Sequence, residues 1–237
     1  MALDGKRIVI IGGTSGIGRA VAAAALAEGA EIFIGSSRLA KIEEAQRLLG
    51  AKAQAATIDC TNEESIAAFF KQTGEIDHLV YTAGDWGNRD PRDIGQVEAD
   101  ELTKTMSVRV VGALLAVKHA TPRIRPGGSI TLTGGIVAHR PRKGAPLASV
   151  MGGAVEHLVY GLAVDLAPIR VNAVIPGAIA TDVWGADAAE KFRGLTDRLP
   201  VSRMGRPEEV AEAYLYLMKG GYTTGQNLRV DGGLTLV

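Results

Sequence analysis

The sequence predicts an α/β fold in one domain, a doubly wound parallel sheet with helices on both faces. Three observations carry that prediction. Short β-branched runs alternate with helical stretches along the whole chain, the pattern of parallel strands joined by right-handed crossovers. A glycine-rich turn at residues 12–18 separates the first run from the first helical stretch. The 237 residues are 46% hydrophobic and 5% aromatic, which suits small side chains packed between a buried sheet and its helices.

Arg7–Ile11 is a β-branched run ending in glycine and reads as the first strand. Residues 17–28 have helical spacing and stop at Gly29, a helix-ending residue. Residues 31–35 read as a second strand and 40–49 as a helix closed by Gly50. Strands follow at 53–58 and Ile76–Tyr81, around a helix capped near Thr61-Asn62 with Glu63 and Glu64 in its first turn. A long helix is expected over about 100–121, stopped by Pro122, and then a strand at 129–133. The stretch 134–146 is rich in Gly, Pro and Arg and leads into a helix over roughly 147–166. Residues 169–175 form a strand ending at Pro176-Gly177, and Pro207–Lys219 a helix with Pro at its first position. A strand at 226–230 closes the series, and no repeat or linker divides the chain.

Composition narrows the function. Lys and Arg total 26 against 26 Asp and Glu, so no general attraction to nucleic acid or to an anionic membrane is expected. The single Cys60 forms no intrachain disulfide and suits a reducing compartment. The first residues lead directly into a strand, and no run approaches 18 apolar residues without Gly or a charge. A soluble cytoplasmic protein with no metal site is expected.

The turn Ile11-Gly-Gly-Thr-Ser-Gly-Ile-Gly18 carries the clearest chemistry. Gly12 permits the tight turn, Gly16 lets backbone approach a pyrophosphate, and Gly18 lets helix pack on strand; the helix end offers free N–H groups. Thr14, Ser15 and Ile17 belong to the same cradle. At the end of the second strand, a chain selecting NAD places a carboxylate for the ribose 2′-hydroxyl. Here the sequence reads Gly35-Ser36-Ser37-Arg38, in which two hydroxyls and a guanidinium suit a 2′-phosphate. NADP is therefore favoured over NAD, with Ser-Ser as an ordinary turn the alternative.

This arrangement resembles the short-chain dehydrogenase/reductase family, whose members have a Rossmann fold. Gly12, Gly16 and Gly18 match its Gly-x-x-x-Gly-x-Gly, with Ile11 where a Thr usually precedes. Ala83-Gly84 matches the second half of its Asn-Asn-Ala-Gly, with Tyr81 and Thr82 replacing the asparagines. Segments 170–177, 203–211 and 224–233 match its later signatures, so the resemblance covers essentially the whole chain. The resemblance implies that Asp59, with Cys60 beside it, contacts the adenine. It places Thr82, Ala83, Gly84, Pro176, Gly177 and Ile179 along the cofactor and Thr181 at the nicotinamide carboxamide. For Asp59 the alternative is a helix N-terminal acid, and for Thr181 a cap residue. Residues 178–200 correspond to the family's lid, Asp85 and Trp86 border the substrate pocket, and a homotetramer or homodimer is implied.

The family's catalytic tetrad is missing. Alignment from both flanks puts Arg109 at the Asn position, Gly135 at the Ser, Ala148 at the Tyr and Gly152 at the Lys. None of Tyr81, Tyr160, Tyr214, Tyr216 and Tyr222 has a lysine four residues later. Two weak substitutes are Thr133, on the same strand face as Gly135, with an ordinary β-branched strand residue the alternative, and His139, in a run with Arg140, Arg142 and Lys143 that could draw in an anionic substrate, with a solvated loop the alternative. Gly152, Gly153 and Ala154 are small enough for close helix approach at an oligomer interface. The leading expectation is an NADP(H)-dependent oxidoreductase for a small carbonyl or alcohol, with an altered proton path. The alternative is a catalytically silent dinucleotide-binding protein, a redox sensor or partner subunit. A lyase or hydrolase on the same scaffold ranks last.

Overall fold

Seven strands form one parallel sheet: β1 (Arg7–Ile11), β2 (Glu31–Ser36), β3 (Ala53–Thr57), β4 (Ile76–Tyr81), β5 (Ile124–Thr133), β6 (Arg170–Pro176) and β7 (Asn227–Val230). Their order is β3-β2-β1-β4-β5-β6-β7. The order reverses between β1 and β4, which opens a crevice at their carboxyl ends. The computed structural model describes residues 3–50, 52–84, 93–185 and 187–237. Asp85 and Trp86 lie outside the described residues.

Both sheet faces are buried, as alternation along β1 requires. Ile8 and Ile10 pack with helices α1 (Gly16–Ala27) and α9 (Pro207–Lys219), and α2 (Leu39–Leu49) flanks them. Val9 and Ile11 point to the opposite core. That second core lies against α3 (Glu63–Thr73), α5 (Gly112–Ala120) and α6 (Pro146–Asp165). Sequence signals set the ends: the Asn62 side chain accepts from the Ser65 amide to cap α3, and Gly29 and Gly50 have positive φ after α1 and α2.

Three departures from expectation matter for the site. The helix expected over 100–121 is α4 (Ala99–Met106) and α5 joined by a π-helical turn, Ser107–Val111. Pro122 sits inside a following 3-10 turn. Strand β5 begins at Ile124 rather than at residue 129, with an irregular register before Ser129; Arg125 bonds Asp77 at 3.2 Å and holds this extension beside β4. Helix α6 is long and apolar enough to cross a membrane by length and composition alone. It packs on β6 and carries the buried Glu156.

Candidate functional site

A cavity of about 960 Å³ opens at the carboxyl ends of the strands. Every residue assigned to the dinucleotide from sequence lines it: Gly12, Thr14, Ser15, Gly16, Ile17, Gly18, Ser36, Ser37, Arg38, Asp59, Cys60, Thr82, Ala83, Gly84, Pro176, Gly177, Ile179 and Thr181. The glycine turn is fixed by backbone packing. Gly12 has φ +92°, and a Cβ there would lie 2.6 Å from the Ala83 nitrogen and 2.7 Å from Thr82 Oγ1. A Cβ on Gly18 would overlap the Gly12 carbonyl. Thr82 itself donates to the Ile11 carbonyl at 3.2 Å, so it braces the turn from behind.

Helix α1 begins at this turn with the anion-binding capacity of its N-terminus intact. Ser15 makes no side-chain cap, and the first turn carries no acidic residue. The N–H groups and the positive end of the helix dipole are left for a ligand. At the end of β2, the Thr14 hydroxyl donates to Ser36 Oγ at 3.2 Å, and Arg38 is the exposed residue preceding α2. No carboxylate stands among residues 35–38. Asp59 is held by the Thr61 hydroxyl at 2.7 Å and the Thr61 amide at 2.8 Å. The side-chain bond, then the backbone one, keeps its carboxyl below the usual range. Thr181 makes no side-chain cap for the turn it precedes; its methyl would lie 3.2 Å from a Cβ on Gly16, so it closes over the glycine turn. A dinucleotide fits this cradle: the turn requires glycine and the helix end is uncapped.

The other end of the cavity is built differently. Arg109, Gly135 and Ala148 line it, but Gly152 does not. Arg109 is buried, 7% exposed, and its guanidinium lies against Gly84, where a Cβ would come within 2.7 Å of Nε and Nη2. The π turn that carries Arg109 leaves the Val108 carbonyl to accept from the Tyr81 hydroxyl at 2.5 Å. Gly152 faces inward rather than toward an oligomer interface: a Cβ would lie 2.7 Å from the Gly135 oxygen and 3.0 Å from Ala138 Cβ. The 3-10 turn Ile136–Ala138 thus covers the place from which a lysine would project. Ser149, Gly152 and Glu156 share one face of α6. Ser149 Oγ donates to the Val137 carbonyl at 3.1 Å, and the Glu156 carboxylate meets the His139 ring at 2.8 Å, so the turn is fastened on both sides of Gly152.

Neither substitute acid presents a proton to the cavity. Thr133 lines it, but its hydroxyl donates to the Tyr81 carbonyl at 2.7 Å. Its oxygen is 2.6 Å from the Tyr214 hydroxyl, which must then be the donor. His139 does not line the cavity and is engaged by Glu156. Burial raises the Tyr81, Tyr214 and Cys60 acidities' pKa values above those of free side chains, making each a weaker acid. Among the described residues the cavity wall holds no histidine, tyrosine or lysine.

Sequence reasoning did not place several lining residues. Met151 enters from α6, and Leu234 and Val237 from the C-terminal turn. From residues 178–200 come Asp182, Val183, Trp184, Phe192, Leu195 and Arg198. That segment includes α7 (Ala188–Lys191) and α8 (Arg193–Thr196), with Trp184 and Phe192 packed edge to face at 4.9 Å. Such contacts join distant segments and leave no local pattern.

Comparison with known proteins places this geometry among relatives. A family model described as Enoyl-(Acyl carrier protein) reductase matches residues 12–235. The short-chain dehydrogenase/reductase ucsE of Acremonium sp is 37% identical over 255 residues, covering 98% of this chain and 96% of the relative. The structure of the MalC Reductase/Diels-Alderase from Malbranchea aurantiaca superimposes with a TM-score of 0.92 at 34% identity, covering 100% of this chain and 98% of that one. A small-chain dehydrogenase in complex with NADPH superimposes with a TM-score of 0.84 at 29% identity, covering 99% of this chain and 100% of that one.

Proposed function

The chain belongs to the short-chain dehydrogenase/reductase family, and from that premise we propose that it is an NADP(H)-binding oxidoreductase that works without the family's tyrosine and lysine. One observation carries the reading: the whole dinucleotide cradle lines one cavity, with an uncapped α1 and no carboxylate among residues 35–38. The structural relative bound to NADPH supports the same cofactor. When bound, NADP(H) supplies redox chemistry toward a small carbonyl or alcohol.

This chain's residues do the rest. The first turn of α1 holds the pyrophosphate, and Ser36, Ser37 and Arg38 take the 2′-phosphate. Asp59 accepts from the adenine amino group, and Thr181 holds the carboxamide. Arg109 lines the cavity with its guanidinium against Gly84, and a positive charge there would favour a developing oxyanion and lower the need for a proton in the transition state. Water delivers that proton. Positioned acid–base catalysis is worth about 10²–10⁴-fold, so turnover slower than that of tetrad-bearing relatives is expected.

A second reading follows from the wall without histidine, tyrosine or lysine. One relative is both reductase and Diels-Alderase, and a cycloaddition moves no proton. The outer face of α6 exposes Val150, Tyr160 and Val164, with open space over Gly153 and Gly161. That face supports a homodimer or homotetramer, which light scattering measures directly. The functional test is a calorimetric titration with NADPH and NADH, followed by carbonyl and alcohol panels read at the reduced-nicotinamide band. Tighter NADPH binding and slow substrate-dependent oxidation are expected. Failure to bind either dinucleotide would overturn the reading, and tight binding without turnover would leave the silent alternative.

A further inference from the structure

We propose that the substrate end of the cavity takes an apolar organic anion, its body on the lid and its negative group on Arg140, Arg142 and Arg198. The inference rests on the dinucleotide occupying the opposite end, as argued above. These three exposed arginines line the cavity, and none is ion-paired to an acid among the described residues. Arg198 Nε meets only the Gly194 carbonyl, at 3.2 Å. Among the described residues Glu101, Asp182 and the C-terminal Val237 also line the cavity, and Arg109 is buried in its wall.

Arg140 and Arg142 follow a fastened turn. The Arg140 amide donates to the Ile136 carbonyl at 2.9 Å, and the adjacent His139 ring is anchored to Glu156 at 2.8 Å. The same cavity has apolar and aromatic lining from Val137, Trp184, Phe192, Leu195 and Leu234. A planar apolar body gains by burial there, while guanidinium groups match a carboxylate or sulfonate in geometry as well as charge. The dinucleotide's own phosphates are accounted for at α1 and Arg38, so they do not explain a second cluster at the far end.

The test is calorimetric titration of 2-naphthoate and of its neutral isostere 2-naphthamide into protein saturated with NADP⁺. Naphthoate is expected to bind more tightly, and to weaken from about 0.05 to about 0.5 M salt. Arg140→Ala, Arg142→Ala and Arg198→Ala should each weaken naphthoate about two- to fivefold, with naphthamide unmoved. Arg47→Ala, an exposed change on α2 away from the cavity, controls for net charge and should alter neither. Equal affinity for the two probes, no binding of either, or undiminished naphthoate binding by the triple variant would each overturn the proposal. Saturation by NADP⁺ is measured first; its failure would strike the dinucleotide reading instead.

Discussion

The two ends of one cavity are held by opposite means. At the dinucleotide end the ligand surface is backbone, shaped by glycines that have no room for a side chain because Thr82 and Ala83 press on the turn. At the other end the chemistry would come from side chains, and these are absent at Gly135, Ala148 and Gly152. The absence is not simply vacant space. At Gly135 a side chain would meet nothing within 4 Å, whereas at Gly152 it would strike the turn above. Removing a side chain can leave an opening or can let backbone close in, and this molecule shows both outcomes a few ångströms apart.

Acid calibrates the comparison, because it should strike both ends alike through the shared sheet. His78 is 4% exposed in β4, and burial lowers its pKa from 6.5 to about 4. The unfolded chain therefore takes up a proton that the native one refuses. Stability is full above pH 6.5 and falls as the pH drops toward 4, by roughly 3 kcal/mol. Denaturant titrations across that range measure the loss, and His78→Gln should flatten it. A next test breaks one end only: Gly18→Val, forced against the Gly12 carbonyl, should weaken NADPH by roughly a hundredfold. Calorimetry reads that change, and unchanged affinity would mean the turn yields more easily than its packing implies.

The other end is probed by putting the tetrad back one residue at a time. Gly135→Ser should fold with near-native stability, and Ala148→Tyr, directed into the cavity, should do likewise. Gly152→Lys should lose about 1–3 kcal/mol, visible as a fall in Tm. If Gly152→Lys is as stable as Gly135→Ser, the contrast between the two positions is wrong. The smallest effect sharpens the ribose end. Arg38→Ala should weaken NADPH about tenfold and leave NADH nearly unchanged.

Much of this was legible because it is local. The glycine turn, the Asn62 cap and the Pro207–Lys219 helix each announce themselves within a few residues. The doubly wound parallel sheet followed from the alternation of strands and helices, whereas the strand order that opens the crevice is set by the packing of the whole chain. What the chain did not reveal is contact at a distance. Nothing near Thr133 indicates that Tyr214, on α9, holds its hydroxyl. Nothing in the composition of 134–146 shows that His139 turns toward Glu156. The π turn at Ser107–Val111 was hidden for another reason: its serine and valines are weaker helix formers than most of their neighbours, but low preference does not specify a π turn, and only the packing around Tyr81 exposes the local rearrangement.

The contact between Gly152 and the turn above it sets the order in which this site can be rebuilt. Serine and tyrosine can enter in either sequence, since each has space waiting. Lysine cannot enter until residues 135–138 move, and they are tied down by Ser149 and by His139 with Glu156. Any stepwise route from this protein to a tetrad-bearing one therefore has a gate. The fastening must be loosened first, and the variants along that stretch carry the cost of loosening without yet having the lysine.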